Sequence, residues 1–177
     1  MISSLHTRIA NHSDEKEIFD LYKRVSLLGG VAHSQQEITY EYISGFCAKA
    51  QFNGIQLITI DTSTNRTIAE IHCYKPEAKV FSHVLSGLTI VVDPYYQRKG
   101  IGKHLFQSLI NLVRNDMRNI MRIELIARES NKKAIHLYLQ LGFKIEGRLE
   151  KRIRSMNGGY EADIPMAWIN PDFKIEF

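Results

Sequence analysis

Two glycines one residue apart, Gly100 and Gly102, stand among Gln97, Arg98, Lys99 and Lys103, after the β-branched run Thr89–Val92 and at the mouth of an apolar helical repeat. Small residues at such a junction let backbone N–H groups approach a ligand, and a helix N-terminus adds positive potential, so the stretch suits an anion. A nucleotide loop of the Gly-x-x-x-x-Gly-Lys-Ser/Thr kind does not fit, because Gly102-Lys103 follows Gly100 after a single residue and His104 stands where a hydroxyl is needed. A dinucleotide fingerprint fits poorly: Leu105 fills the third small position and the strands before it do not open a βαβ unit, although Glu124 lies at about the distance of a ribose-binding acid.

Proton chemistry is available elsewhere. Glu70 and His72 are two apart in a β-rich run and therefore share a face, and His83 opens the next run. Tyr138 falls on the same helical face as Ala134. His72, Cys73 and His83 do not make a metal site, since adjacent strand residues face opposite ways and no spaced ligand set follows. The charged run Arg148–Arg154 reads as a solvated strand face and, lacking interleaved aromatics, disfavours nucleic acid as a partner.

The elements that must position these residues are legible in the periodicity. Helices are expected from Asp14 to the stop at Gly29-Gly30 and from a Ser34/Glu37 capping box onward. A third helix follows Gly102, with Ile101, Leu105, Phe106, Leu109, Ile110 and Val113 on one face. A short fourth is capped by Ser130/Asn131 and closed by Gly142. Strands are expected over Ile55–Ile60, Thr67–Tyr74, Val84–Val92 and Ile120–Ala127, with a final hairpin of residues 144–154 and Tyr160–Ile169 joined by the turn at residues 155–159.

The chain has 177 residues, 44% hydrophobic and 24% charged, long enough for one domain with its own core. Cys47 and Cys73 lack CxxC spacing and read as reduced, buried thiols. No spanning run and no leader pattern is seen, which points to a cytoplasmic protein without a membrane partner. A net charge of +4 favours acidic ligands without choosing between nucleic acid and a phosphorylated cofactor.

The segment Gln97–Gly102, QRKGIG, resembles the Q/R-x-x-G-x-G/A acyl-CoA loop of the GCN5-related N-acetyltransferase (GNAT) superfamily, and SNKKAIHLYLQLGF, residues 130–143, resembles that family's N-x-x-A-x-x-L-Y-x-x-x-G-F block. The resemblance runs from about Arg8 to Ile169. The ending of the chain is similar to the subgroup that acetylates small amines, amino acids or ribosomal-protein N-termini.

The resemblance implies an α/β fold: a mixed, twisted sheet of six to seven strands, splayed near Val92, with helices on both faces. It implies acetyl-CoA as co-substrate, with no metal. Ile90, Val91 and Val92 would offer backbone groups to the pantetheine arm. Gln97, Arg98, Lys99, Gly100, Ile101, Gly102 and Lys103 would surround the pyrophosphate, and Asn131, Ala134 and Tyr138 would line the far wall. Tyr138 corresponds to the family's general acid. Some members carry a base eleven residues before the first signature residue, but here that position is Ser86. The expected base is instead a water held by His83 or Glu70. The implied reaction is direct acetyl transfer to a primary amine, either small-molecule or peptide; a CoA-binding sensor or assembly module is the non-enzymatic rival. Dimers are frequent in the family, so a homodimer is allowed.

Overall fold

The computed structural model describes residues 4–28, 33–154 and 158–174. It is a mixed α/β fold of eight strands and four α-helices flanking them. Two compact units divide it: the first takes the described residues up to Tyr74 together with Thr89–Leu109, and the second takes Lys75–Leu88 and the described residues from Ile110 onward.

In the first unit β1 (Leu5–Ile9) runs antiparallel to β2 (Gly54–Asp61), which pairs antiparallel with β3 (Arg66–Tyr74). The last residues of β4 (Val84–Val92) lie beside β3, where the Asp93 N–H donates to the Ile68 carbonyl at 2.8 Å. Helices α1 (Glu15–Ser26) and α2 (Tyr40–Asn53) turn Ile18, Leu21, Tyr22, Val25, Ile43, Phe46 and Cys47 into one core with Ile58 and Val91. The neighbours of Val91 point the other way: a Cβ on Gly102, in the first turn of α3 (Ile101–Asp116), would touch the side chains of Ile90 and Val92. Helices thus lie on both faces of this half of the sheet.

In the second unit the first residues of β4 pair parallel with β5 (Arg122–Arg128), at Val84↔Arg122 and Leu85↔Ile123. Strand β5 is antiparallel to β8 (Tyr160–Ile169), which also pairs with β6 (Lys144–Ile145) and β7 (Leu149–Arg154). Helix α4 (Lys132–Gln140) follows β5.

Three boundaries differ from the sequence reading. The strand count is eight, because β1 was not legible as a strand and residues 144–154 break into β6 and β7 around Gly147. Ser34 and Glu37 do bond, with the Ser34 N–H and hydroxyl both donating to Glu37 Oε2, but they close an isolated turn. Helix α2 starts at Tyr40, where Thr39 has the extended backbone of an N-cap and its hydroxyl accepts from the Tyr42 N–H. The Gly29-Gly30 stop lies outside the described residues, as do the first three residues of the 155–159 turn.

Candidate functional site

The loop after β4 is assembled from short-range bonds. Asp93 caps a single 3-10 turn, Pro94–Tyr96, by accepting from the Tyr95 N–H at 3.1 Å, as an acid directly before proline is suited to do. Its other oxygen accepts from Arg24 Nε of α1 at 2.8 Å, and the same guanidinium donates to the Thr67 carbonyl at 2.9 Å. Asp93 is 4% exposed, so this carboxylate is a buried anchor. Tyr96 donates to Asp61 Oδ2 at 2.6 Å, a bond that raises the phenol's pKa, and Lys99 Nζ sits 4.9 Å from the centroid of its ring. Gln97 Nε2 donates to the Val92 carbonyl at 3.2 Å.

Beyond these anchors the backbone changes hand. Arg98 has φ +62° and Gly100 φ +79°, and helix α3 begins one residue later, with the His104 N–H bonding to the Gly100 carbonyl. Left-handed residues interspersed in a turn point successive N–H groups the same way, and the first turn of a helix has no i−4 carbonyls to take its own. Arg98, Lys99 and Lys103 are exposed around that mouth. The charge, the free N–H groups and the dipole all suit an anion such as a pyrophosphate. At Gly102 a Cβ would lie 3.7 Å from Val92 Cγ2, ordinary contact, so the protein itself leaves room for alanine there.

In the second unit Asn131 caps α4, its Oδ1 accepting from the Ala134 N–H at 3.2 Å. Ala134 and Tyr138 follow on one helical face. Tyr138 is half-buried, its ring centroid is 6.0 Å from that of Phe143, and its carbonyl accepts the Phe143 N–H at 3.0 Å. Burial pushes the Tyr138 phenol up to about 12, so it holds its proton far into the alkaline range. Gly142 ends the helix at φ +92°, the left-handed conformation that favours glycine; a Cβ there would meet Trp168 Cδ1 at 3.4 Å, an ordinary contact.

The expected bases fall in different settings. His83 is half-buried in the turn just before β4, where its carbonyl accepts from the Met121 and Arg122 N–H groups. Ser86 is half-buried in that strand. Glu70 is 0% exposed beneath α1 and α2: Tyr22 Oη donates to Oε2 at 2.9 Å, and Gln56 Nε2 and His72 Nδ1 both meet Oε1 at 2.9 Å. A carboxylate so enclosed does not touch bulk water, and its oxygens meet three side-chain partners. Burial and the nearby Glu70 charge together hold the Tyr22 phenol well above its usual range. Sequence reading missed Arg24, Asp93 and Tyr96. The Asp-Pro step was a visible signal for Asp93, whereas nothing local marks Arg24, 69 positions earlier.

Both cysteines are free and buried. Desolvation pushes the Cys47 thiol up to about 12 and the Cys73 thiol higher still. Two cations of the charged run Arg148–Arg154 pair with acids: Arg148 with Glu129 at 2.7 Å and with Glu150, and Arg152 with Asp163 at 3.1 Å. Among the described residues no group of three His, Cys, Asp or Glu could hold a metal, and no helix is long and apolar enough to cross a membrane.

Comparison with known proteins gives this geometry its setting. Spermidine N(1)-acetyltransferase of Escherichia coli strain K12 is 32% identical over 84 residues, 48% of this chain and 44% of that protein. The [ribosomal protein bS18]-alanine N-acetyltransferase of the same strain is 38% identical over 78 residues, 44% of this chain and 51% of that protein. The matches thus span about half the length of these relatives. The solved structure of a GNAT superfamily phosphinothricin acetyltransferase from Sinorhizobium meliloti, in complex with AcCoA, shares the fold with a TM-score of 0.75 at 16% identity, covering 96% of this chain and 90% of that one. The family model "Acetyltransferase (GNAT) family" matches residues 33–143, more than half of the sequence, and that span carries the glycine loop, the Asn131 cap and Tyr138 alike: the chain belongs to the GNAT acetyltransferase family.

Proposed function

We propose that the protein transfers the acetyl group of acetyl-CoA to a primary amine by direct attack, with a small amine or amino acid favoured as acceptor. The observation that carries this reading is the loop at the mouth of α3, where Arg98 and Gly100 are left-handed just before the helix N-terminus and Arg98, Lys99 and Lys103 are exposed, a combination that suits an anion. Gln97–Lys103 would hold the pyrophosphate, and Ile90, Val91 and Val92 would present backbone groups to the pantetheine, as an added strand does. The Val92 carbonyl, engaged by Gln97, is already fixed in place. Asn131 and Ala134 set the start of α4 so that Tyr138 stands one turn further along the same face.

In this reading the amine nitrogen attacks the thioester carbonyl, the C–N bond forms and the C–S bond breaks. The Tyr138 phenol gives its proton to the departing thiolate and recovers one from the new amide nitrogen. A phenol raised to about 12 is fully protonated at neutral pH, the state an acid needs. An acyl-enzyme route is disfavoured, since both thiols are buried with raised pKa values and neither supplies a thiolate. A small acceptor is favoured because acids offset part of the basic run, Arg148 by Glu129 and Glu150 and Arg152 by Asp163, which lowers the charge there that could dock an acidic macromolecule.

The test is an amine panel of spermidine, free amino acids and an alanine-terminated peptide, incubated with acetyl-CoA and read by mass spectrometry. Acetylated spermidine or amino acid supports the reading, and acetylation of the peptide alone moves the acceptor to a protein N-terminus. Thermal stabilisation by acetyl-CoA with no acetylated product would make the protein a CoA-binding module.

A further inference from the structure

Beneath α1 and α2 lies a polar network that the roles above do not use. Glu70 receives hydrogen bonds from Tyr22 of α1, Gln56 of β2 and His72 of its own strand. In the 2.9 Å contact between Glu70 Oε1 and His72 Nδ1, an ionised carboxylate would accept from Nδ1–H and leave Nε2 with its lone pair. No hydrogen bond to Nε2 forms among the described residues. The ring cannot turn to offer the other nitrogen, because Phe46 stacks on it at 4.1 Å and 10°, and Tyr74 lies parallel at 6.2 Å.

We infer that His72, oriented by Glu70, is the general base that takes the proton from the acceptor's ammonium group, directly or through one water. This deepens the acetyltransferase reading and rests on it. The face is the one a base would need: Glu70, His72 and Val91 all turn toward α1 and α2, and Val91 belongs to the strand segment assigned to the pantetheine arm. The ammonium loses one proton to Nε2 and becomes a neutral amine; the resulting imidazolium is stabilised by the Glu70 carboxylate and later releases its proton to water. Glu70 is a positioning residue, acting through His72 as a buried acid acts on an imidazole in other hydrolytic and transfer sites. The groups facing the pair are Tyr22 from α1, Tyr42, Cys47 and Lys49 from α2, Gln56 from β2 and Tyr74 from β3. None is a second carboxylate. Lys49 Nζ, 5.7 Å from the Tyr74 ring centroid, is the one cation in the set, set off from the imidazole by that ring.

The experiment measures kcat/KM against pH for wild type, His72→Gln, Glu70→Gln and His83→Ala, with spermidine and an alanine-terminated peptide as probes and acetyl-CoA at saturation. General-base removal typically lowers rates by 10²–10⁴-fold, so His72→Gln is expected to lose about 100-fold or more and to lose the acid limb of the profile. Glu70→Gln, which removes the negative charge that holds the imidazolium, is expected to move that limb to lower pH and lower kcat. Nitrogen NMR of the wild-type protein covers the case of variants that fail to fold: His72 protonated at Nδ1 and bare at Nε2 near neutral pH is expected, and the opposite tautomer overturns the inference. An unchanged profile in His72→Gln, or loss of the acid limb in His83→Ala, overturns it while leaving acetyl transfer standing. A wild type that turns over neither probe nor any free amino acid overturns the transfer reading and the base with it.

Discussion

Tyr138 is the residue whose chemistry the pH dependence should display most simply. An unperturbed phenol loses its proton near pH 10, but burial raises this one to about 12. If it protonates the thiolate, kcat should show no alkaline fall through pH 10 to 11, and Tyr138→Phe should lower kcat by roughly 10²-fold with little change in KM, measured by steady-state thiol release. Gly100 makes a second prediction at this scale. Its φ of +79° is costly for any residue with a Cβ, so Gly100→Val should weaken acetyl-CoA binding by tenfold or more in calorimetry. Both residues were legible in the sequence, because each sits in a motif whose spacing is local. His72 was legible only as one of three proton acceptors. What distinguishes it is a set of partners drawn from α1, α2 and β2, which no local pattern reveals.

At the scale of elements, the loop after β4 is held by a helix that precedes it by some 70 residues. Arg24 bridges the buried Asp93 carboxylate and the Thr67 carbonyl, so α1, β3 and the loop form one anchored set. Removing Arg24 leaves Asp93 charged without its partner. Arg24→Ala should therefore cost about 2 kcal/mol by denaturant unfolding and should raise the KM for acetyl-CoA more than it lowers kcat. The β2–β3 hairpin has its own tight point: a Cβ on Gly54 would lie 2.2 Å from the Cys73 carbonyl oxygen, a contact that no rotamer relieves. Gly54→Ala should lower stability by about 1–3 kcal/mol, seen as a fall in Tm. The hairpin itself, β4, α3 and β8 follow directly from periodicity and turn residues. Strand β1 does not: its residues, Leu5 to Ile9, are mixed in polarity, and their pairing with β2 is decided by register across some fifty intervening positions.

For the whole molecule, the sequence conveyed fold class and cofactor class together because two short blocks, each tied to one helix start, have the family's order and separation. It did not convey how the charges of β7 are spent, since Glu129 and Asp163 come from elsewhere in the chain. Stability against acid is a property at this scale. Burial tends to raise the Asp14 carboxyl, but the paired Arg8 guanidinium, at 2.7 Å to each oxygen, and the Asn11 N–H outweigh it and hold the pKa below its usual value. A lowered folded-state pKa stabilises above the unfolded value of about 4 and loses that stabilisation as pH falls through the folded one. Asp14→Asn should therefore flatten the decline in unfolding free energy below about pH 4.

The central claim, acetyl transfer from acetyl-CoA to an amine, is tested most directly by following free thiol release on mixing the wild-type protein with acetyl-CoA and spermidine or amino acids at neutral pH. The account predicts release that requires both protein and amine, matched mole for mole by acetylated amine and lost in Tyr138→Phe. Thiol release that ignores the amine, or none at all while acetyl-CoA binds, would contradict it.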